Sequence, residues 1–543
     1  MNTINYPECP FDNIALSLSG GGVRAVGFHL GTMDYLDRIG AMQNVSILSS
    51  VSGGCVAGMG YAVYQKKGRP FRNLVRDISG DIHSDPPIFR TLLGIVSKRK
   101  PPAPSGRRSL MTALAQAYDE RFRFCNGNRF GMFWNNDPVP ENNLKHIIFN
   151  AMEYNTGAGF RFYYRRDHPQ SDSGSNRVVL PAAFAREARL SDILAASTSL
   201  PVCIEPLNFP DDFRWPDDGD IVLNESKRKT CNRINLHFKQ QFNQCSIPIM
   251  DGAVIDNQGI SGVLWALAQG KGPRREKETQ EIETDSSNYE CEPDLLIVSD
   301  TPMCEETAFQ SDEILTSGIL NFEAIKWIAK LSCVTAIVSD FFLLLKVHNI
   351  PDTIYNQMSG FYSFATPLLL ILLFIFATST AGYWLFRSLR SVPVLKSMFM
   401  NRIRTLGYSV LLSQECLKGR IIANEIATLL PSSNQNDLPK WLEPTHQMSE
   451  VIARPCSRIP TKLSVARTNG NTYGEFDTLI ACGHATICYN LIVHMWRNYP
   501  RDGDVFEDIE IDRFFHHIKK DWFALKKNAF LFVDEINAKQ NVI

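Results

Sequence analysis

The chain is 543 residues long, 44% of them hydrophobic, with a formal net charge of −1. That is enough apolar material for two or three domains, or for one large domain with insertions, and too little net charge for a field that recruits nucleic acid. Thirteen cysteines without a Cys-x-x-Cys pair indicate neither a zinc site nor a disulfide framework, and a reducing compartment is the simpler inference.

The first eleven residues carry no basic stretch followed by an apolar one, so no signal peptide is expected. Residues 13–58 then read strand, glycine loop, helix, strand, serine turn, helix. The first strand is Ile14-Ala15-Leu16-Ser17-Leu18, followed by Ser19-Gly20-Gly21-Gly22-Val23-Arg24. Val26, Leu30, Met33 and Leu36 fall on one helical face, and Gly40 ends the helix. The second strand, Val45-Ser46-Ile47-Leu48, runs into Ser50-Val51-Ser52-Gly53-Gly54, and a second helix covers residues 55–64. A unit of this length makes two parallel strands with a right-handed crossover, so both loops leave the same edge of the sheet. Open α/β sheets hold their ligands at that edge. Glycines there let backbone N–H groups turn toward an anion, as an oxyanion hole requires. Ser52 on a sharp strand-to-helix turn follows the logic of a nucleophile elbow.

Further along, Ala195-Ala196-Ser197-Thr198-Ser199-Leu200-Pro201 is a small-residue segment ending in proline, and Asp251-Gly252-Ala253 follows the apolar run Ile247-Pro248-Ile249-Met250. In this order, Gly20-Gly21-Gly22-Val23-Arg24, Ser52, the 195–201 segment and Asp251-Gly252-Ala253 resemble the motifs of the patatin-like phospholipase family, and the chain is similar to a bacterial, membrane-anchored member. Thr461-Lys462-Leu463 and residues 479–485 resemble a segment that closes bacterial members, so the likeness spans most of residues 13–490. The resemblance implies an α/β fold with a central, mostly parallel sheet flanked by helices. It implies a catalytic Ser–Asp dyad, Ser52 and Asp251, with Gly20, Gly21 and Gly22 as oxyanion hole and Arg24, Gly54 and Gly252 in support. Arg24 would hold the loop or meet a lipid phosphate. No cofactor or metal is implied. Two positions depart from the pattern: Ser50 stands where the elbow carries its first glycine, and Ala25 follows the arginine.

Between these motifs, residues 69–149 give no clear pattern, and residues 98–108 form a basic, proline-rich stretch that reads as a solvated loop or as a surface for anionic headgroups. Residues 159–164 and 178–180 read as strands, 190–200 as a helix. The acidic run 211–220 lacks EF-hand spacing. Residues 268–293, charged and poor in apolar side chains, read as a disordered surface insertion, and Leu295-Leu296-Ile297-Val298 as a buried strand.

Residues 353–386 contain no charged side chain. At about 1.5 Å per residue, 362–384 reaches roughly 33 Å, one hydrocarbon core. Tyr362 and Trp384 suit the interfaces, and Arg387, Arg390, Lys396, Arg402 and Arg404 assign that flank to the cytoplasm. If the C-terminal motifs rejoin the catalytic fold, both flanks share a compartment and a second span is needed. Residues 328–347 supply it, with Asp340 inside. The expected architecture is therefore a catalytic domain over 1–325, a transmembrane hairpin within 326–390 with spans at 328–347 and 362–386, and a C-terminal helical part, 391–543, packing back on the catalytic domain. Residues 409–430 read as an amphipathic helix, 476–493 as a return to the core, and the tail from Asp502 as a surface helical segment.

The expected function is a phospholipase A-like lipid acyl hydrolase at a membrane, with membrane lipid as substrate and no nucleic-acid partner. A lipase left uncontrolled would damage its own membrane, so a regulatory partner or signal is expected, although no residue marks it. The alternatives are a catalytically inactive membrane-anchored scaffold, a nucleotide-binding module built on Gly20–Gly22, and a Ser-His-Asp hydrolase using His484. The Gly-x-Gly-x-x-Gly spacing fails for the second, because position 25 is alanine and no ribose-binding acid follows the second strand.

Overall fold

The apolar run Ile14–Leu18 forms an interior strand of the sheet in the computed structural model, which describes residues 7–84, 109–135, 144–175, 177–199, 205–215, 229–242, 246–270, 293–301, 438–445, 448 and 474–538. The chain divides into two units, one of residues 1–306 with 398–543 and one of residues 307–397. The second unit lies wholly outside the described residues, and with it both expected spans, 328–347 and 362–386. Residues 98–108, 200–201, 409–430 and 461–463 lie outside them too.

All five residues of β1 (Ile14–Leu18) are buried. Such a strand needs both faces covered, which is the setting of a parallel sheet. β1 pairs in parallel with β2 (Val45–Val51) on one side and with β9 (Leu295–Ser299) on the other. β2 pairs in parallel with β3 (His146–Glu153). Beyond β3 the sheet turns antiparallel through β4 (Ala158–Arg165), β5 (Ser173–Gly174) and β6 (Val179–Leu180). β8 (Ile247–Asp251) pairs antiparallel with β3 and with β7 (Leu207–Phe209). The sheet is thus mixed, with β3, β2, β1 and β9 parallel on one side and an antiparallel part on the other.

The crossover from β1 to β2 is α1 (Gly22–Arg38), and Gly40, at φ 75°, lies just beyond its C-terminal end. Ala25 falls inside α1, buried, so its methyl meets ordinary helix packing. After β2 comes α2 (Gly53–Lys66). Period-two alternation splits β1 between the faces: Ile14, Leu16 and Leu18 join the main core, while Ala15 packs with Ile47, Ile148 and Val263 under the helix Ile260–Gly270.

The stretch that showed no pattern holds two helices, Phe71–Ser84 and Leu110–Arg121, and the strand β3. Asn150 interrupts the apolar run of β3, yet its amide is satisfied by Ser49 Oγ at 2.9 Å and the Ser50 carbonyl at 3.0 Å. Of the acidic run, Asp212 accepts from the Asn208 N–H and so serves the local turn, while Asp211 accepts from Asn235 on the helix Lys229–Phe242.

The helix Glu475–Asn498 lies against α1. A Cβ on Gly31 would stand 2.0 Å from the Ile480 carbonyl oxygen, and one on Gly483 would stand 2.1 Å from that of Phe28. Two glycines therefore permit backbone-to-backbone approach. Among the described residues, Phe476–Asn498 is the one stretch long and apolar enough to cross a membrane, and 67% of its apolar window is buried within the protein. The interior contact with α1 accounts for its apolarity. The tail is more embedded than a surface segment: in the helix Ile509–Lys527, Ile511, Phe514, Phe515, Ile518, Trp522 and Leu525 are buried.

Candidate active site

The register of β3 brings Ser52 and Asp251 together. One edge of β3 is occupied throughout by β4. Its other edge is shared: β2 pairs with His146 to Asn150, ending at Val51↔Asn150, and β8 takes over at Ala151↔Asp251. β2 and β8 run in opposite senses along the same edge and meet nearly end to end. Ser52 leaves the end of one and Asp251 closes the other. Ser52 Oγ donates to Asp251 Oδ2 at 2.7 Å, and both residues are buried.

Ser52 sits at φ 50°, ψ −121°, and among the described residues it is the one non-glycine residue with positive φ. Such a conformation costs about 1–3 kcal/mol and persists only where surrounding bonds impose it. Here they are visible. The Ser52 N–H donates to Ser197 Oγ at 3.0 Å, and Ser197 Oγ donates to the Asn150 carbonyl at 2.6 Å. The Asp251 N–H donates to the Ser199 carbonyl at 3.2 Å. The end of the helix Leu190–Ser197 therefore holds both members of the pair. Ser197 and Ser199 lie in the small-residue segment that the sequence singled out, though no role for either could be read there. Ser50, in place of a glycine, belongs to extended β2 and is buried; Gly58 on α2 leaves room for it, since a Cβ there would stand 3.0 Å from Ser50 Cβ.

Asp251 Oδ1 accepts from the Ala253 N–H at 2.8 Å. Burial raises its carboxyl to about 7, against the opposing pull of the Ala253 N–H and the Ser52 hydroxyl. A carboxylate there holds a proton near neutral pH without holding it tightly, as a general base requires.

The glycine loop is pinned from several sides. Gly20 departs from the expected oxyanion role: its N–H donates to the Asn257 carbonyl at 2.9 Å and is spent. Gly21 (φ 145°) and Gly22 (φ 63°) open α1, and neither N–H donates to another described group. The first amides of a helix have no intrahelical acceptor and carry its positive end. His29, fully buried, contacts the Ser19 carbonyl through Nε2 at 2.8 Å and Ser299 Oγ through Nδ1 at 2.7 Å. Because a carbonyl only accepts, Nε2 carries the proton and Nδ1 accepts from Ser299. Burial lowers this imidazole to about 4 and keeps it neutral. Arg24 is 6% exposed, and its Nε is buried without a hydrogen-bond partner among the described residues. Gly54 packs against the Leu18 and Ser19 carbonyls, and Gly252 against the Asn150 backbone.

Asp256, five positions after Asp251 and so a carboxylate that could orient it, and His484, offered above for a Ser-His-Asp hydrolase, are both engaged elsewhere. Asp256 accepts from the Gly259 N–H at 3.0 Å and the Ser261 N–H at 2.7 Å, and so caps the helix Ile260–Gly270 rather than orienting the pair. His484 Nε2 meets Asp34 Oδ2 at 3.0 Å in the α1 contact, and Asp34 also accepts from Arg38 Nε at 2.6 Å. The partner of Ser52 is a carboxylate, not an imidazole. Among the described residues no group of three His, Cys, Asp or Glu side chains is placed to hold a metal ion.

An α/β domain with a buried serine–carboxylate pair at a strained strand-to-helix turn, facing a glycine loop, has the form of a serine hydrolase. Residues 16–264 match the family model described as patatin-like phospholipase, and this part of the chain is a patatin-like phospholipase domain. The family places it among lipid ester hydrolases. Similar solved structures include human GIVD cytosolic phospholipase A2 in complex with methyl gamma-linolenyl fluorophosphonate, at 12% identity over 35% of this chain and 30% of that chain, TM-score 0.26. VipD from Legionella pneumophila is 13% identical over 46% of this chain and 47% of that one, TM-score 0.21. The chain therefore covers less than half the length of either. No curated protein matches it.

Proposed function

We propose that the protein is a phospholipase A-like acyl hydrolase that cleaves ester bonds of membrane lipids through Ser52 and Asp251. The observation that carries this reading is the 2.7 Å bond from the Ser52 hydroxyl to a buried carboxylate. Ser52 Oγ attacks the acyl carbonyl and its proton passes to Asp251. The carbonyl oxygen, now negative, takes hydrogen bonds from Gly21 and Gly22 at the positive end of α1. Collapse expels the lipid alkoxide, which takes the proton from Asp251. Water, deprotonated by Asp251, then attacks the acyl-enzyme; the intermediate collapses to the fatty acid and Ser52 regains its proton. Purified full-length protein should release free fatty acid from phosphatidylcholine vesicles, and Ser52→Ala should not. Equal release by both overturns the reading.

Arg24 supplies a buried guanidinium in the first turn of α1, without a partner for its Nε among the described residues. It meets the phosphate of the lipid. Arg24→Gln should therefore lower kcat/KM for phospholipid by about tenfold more than for a neutral p-nitrophenyl ester, because a charge-assisted hydrogen bond contributes roughly 1.5–3 kcal/mol. Equal losses on the two substrates assign Arg24 to loop support alone.

The sequence supports work beside a bilayer, with residues 328–347 and 362–386 as a hairpin and the catalytic side cytoplasmic. A tag at His348 should then be reachable only from the far side of the membrane; cytoplasmic labelling there breaks the hairpin.

A further inference from the structure

The Gly20–Gly21 peptide is held by its carbonyl. Thr301 Oγ1 donates to the Gly20 oxygen at 3.1 Å, and Ser19 Oγ reaches the same oxygen at 3.2 Å. The Thr301 N–H in turn donates to Ser19 Oγ at 3.1 Å, so one residue anchors both contacts. Thr301 is 3% exposed and follows β9, the strand that pairs with β1 and whose Ser299 carbonyl accepts the Ser19 N–H at 3.0 Å. It lies 37 positions beyond the last residue of the family match, 264. A trans peptide points its C=O and its N–H in opposite directions. Fixing the Gly20 carbonyl toward Thr301 therefore turns the Gly21 N–H away from it, and that N–H donates to no other described group. The Thr301 side chain also packs closely over Gly21: at φ 145° a Cβ there would stand 2.7 Å from Thr301 Oγ1, so this approach requires glycine. The preceding peptide shows the same device, since His29 holds the Ser19 carbonyl and the Gly20 N–H turns to Asn257.

We infer that Thr301 is a positioning residue for the oxyanion hole, its hydroxyl setting the plane of the Gly20–Gly21 peptide so that the Gly21 N–H faces the reacting carbonyl. This rests on the Ser52–Asp251 reading above. The hydrogen bonds of Thr301 go to Ser19 and Gly20 and not to Ser52 or Asp251, so its loss should change how well the transition state is held and leave ground-state binding intact.

The test uses the full chain and a neutral p-nitrophenyl ester. Thr301→Val keeps the shape and removes the hydroxyl; kcat should fall roughly tenfold to a hundredfold, somewhat less than deletion of an oxyanion donor, with KM within about twofold. Thr301→Ser restores the hydroxyl and should return kcat to within about threefold of wild type. If Thr301→Val does not fold, Thr301→Ala carries the same expectation against Thr301→Ser. The inference is overturned if the valine or alanine variant keeps wild-type kcat, or if the serine variant loses as much as they do, which would mark a packing role. Wild-type hydrolysis that survives Ser52→Ala overturns the dyad itself, and this inference with it. Hydrolysis that needs Ser52 but is indifferent to the Thr301 hydroxyl overturns this inference alone.

Discussion

Ser52→Ala should lower kcat for ester hydrolysis by at least about 10⁴-fold, because among the described residues no other hydroxyl is bonded to Asp251 and removal of a nucleophile from a serine hydrolase costs on that order. The variant should remain folded. Alanine keeps the backbone N–H bond to Ser197 and loses only the hydroxyl bond to Asp251. Ser52→Gly separates chemistry from strain. It should be equally inactive, yet tolerate φ 50° without a Cβ penalty and so gain about 1 kcal/mol in urea unfolding. An inactive but more stable glycine variant would indicate that the elbow geometry is maintained for reaction at the expense of stability. A glycine variant less stable than the alanine one would remove that argument, and turnover within about a hundredfold of wild type in either variant would remove Ser52 as nucleophile.

The elements that were legible in the sequence are those whose signal is local. β1 could be read because five apolar or small residues lie between turns, and its covered faces turned out to be why it does not alternate. The helix after the glycine loop could be read from its 3.6-residue period. Asp251 was readable only through resemblance, since an Asp-Gly pair after a strand is otherwise an ordinary turn. β3 was missed, although the whole site depends on it. Asn150 breaks its apolar run, and the bonds that satisfy Asn150, to Ser49 and Ser50, come from a strand a hundred residues earlier. The same reason hid Ser197, Thr301 and His29. A buried hydroxyl or imidazole that holds a distant backbone group leaves no periodicity, and only coordinates reveal its partner. Gly20 shows the converse error. Three consecutive glycines look equivalent as amide donors, but the N–H of Gly20 is consumed by Asn257. The helix Glu475–Asn498 was expected in the core only through the likeness of residues 479–485 to a closing segment; the close fit of Gly483 against α1 left no signal in the sequence.

Asp251→Asn should uncouple activity from stability, and pH should expose the link. Asparagine keeps the size and can still accept from the Ala253 N–H, but it takes no proton from Ser52, so kcat should fall by about 10³–10⁴-fold. In the wild type the base must be ionised, and burial sets that transition at about 7. The kcat/KM profile should therefore rise through pH 7 and flatten above it. Stability runs the other way. The folded carboxyl is raised from 3.8 to about 7, so between those values the folded state binds more protons than the unfolded one. Wild-type stability should fall across that window by up to about 1.4 kcal/mol per pH unit, with no further loss above it. The asparagine side chain cannot ionise and escapes this cost. Relative to wild type, Asp251→Asn should thus gain little at pH 4 and a few kcal/mol at pH 8, read from urea midpoints at both values. The two curves share one group: the charge that makes Asp251 a base is the charge that its burial opposes. A wild-type activity profile that rises through pH 4 instead would put the base in a solvated setting. A stability difference that does not grow between pH 4 and pH 8 would mean that the carboxylate is compensated by a partner other than Ser52 and Ala253.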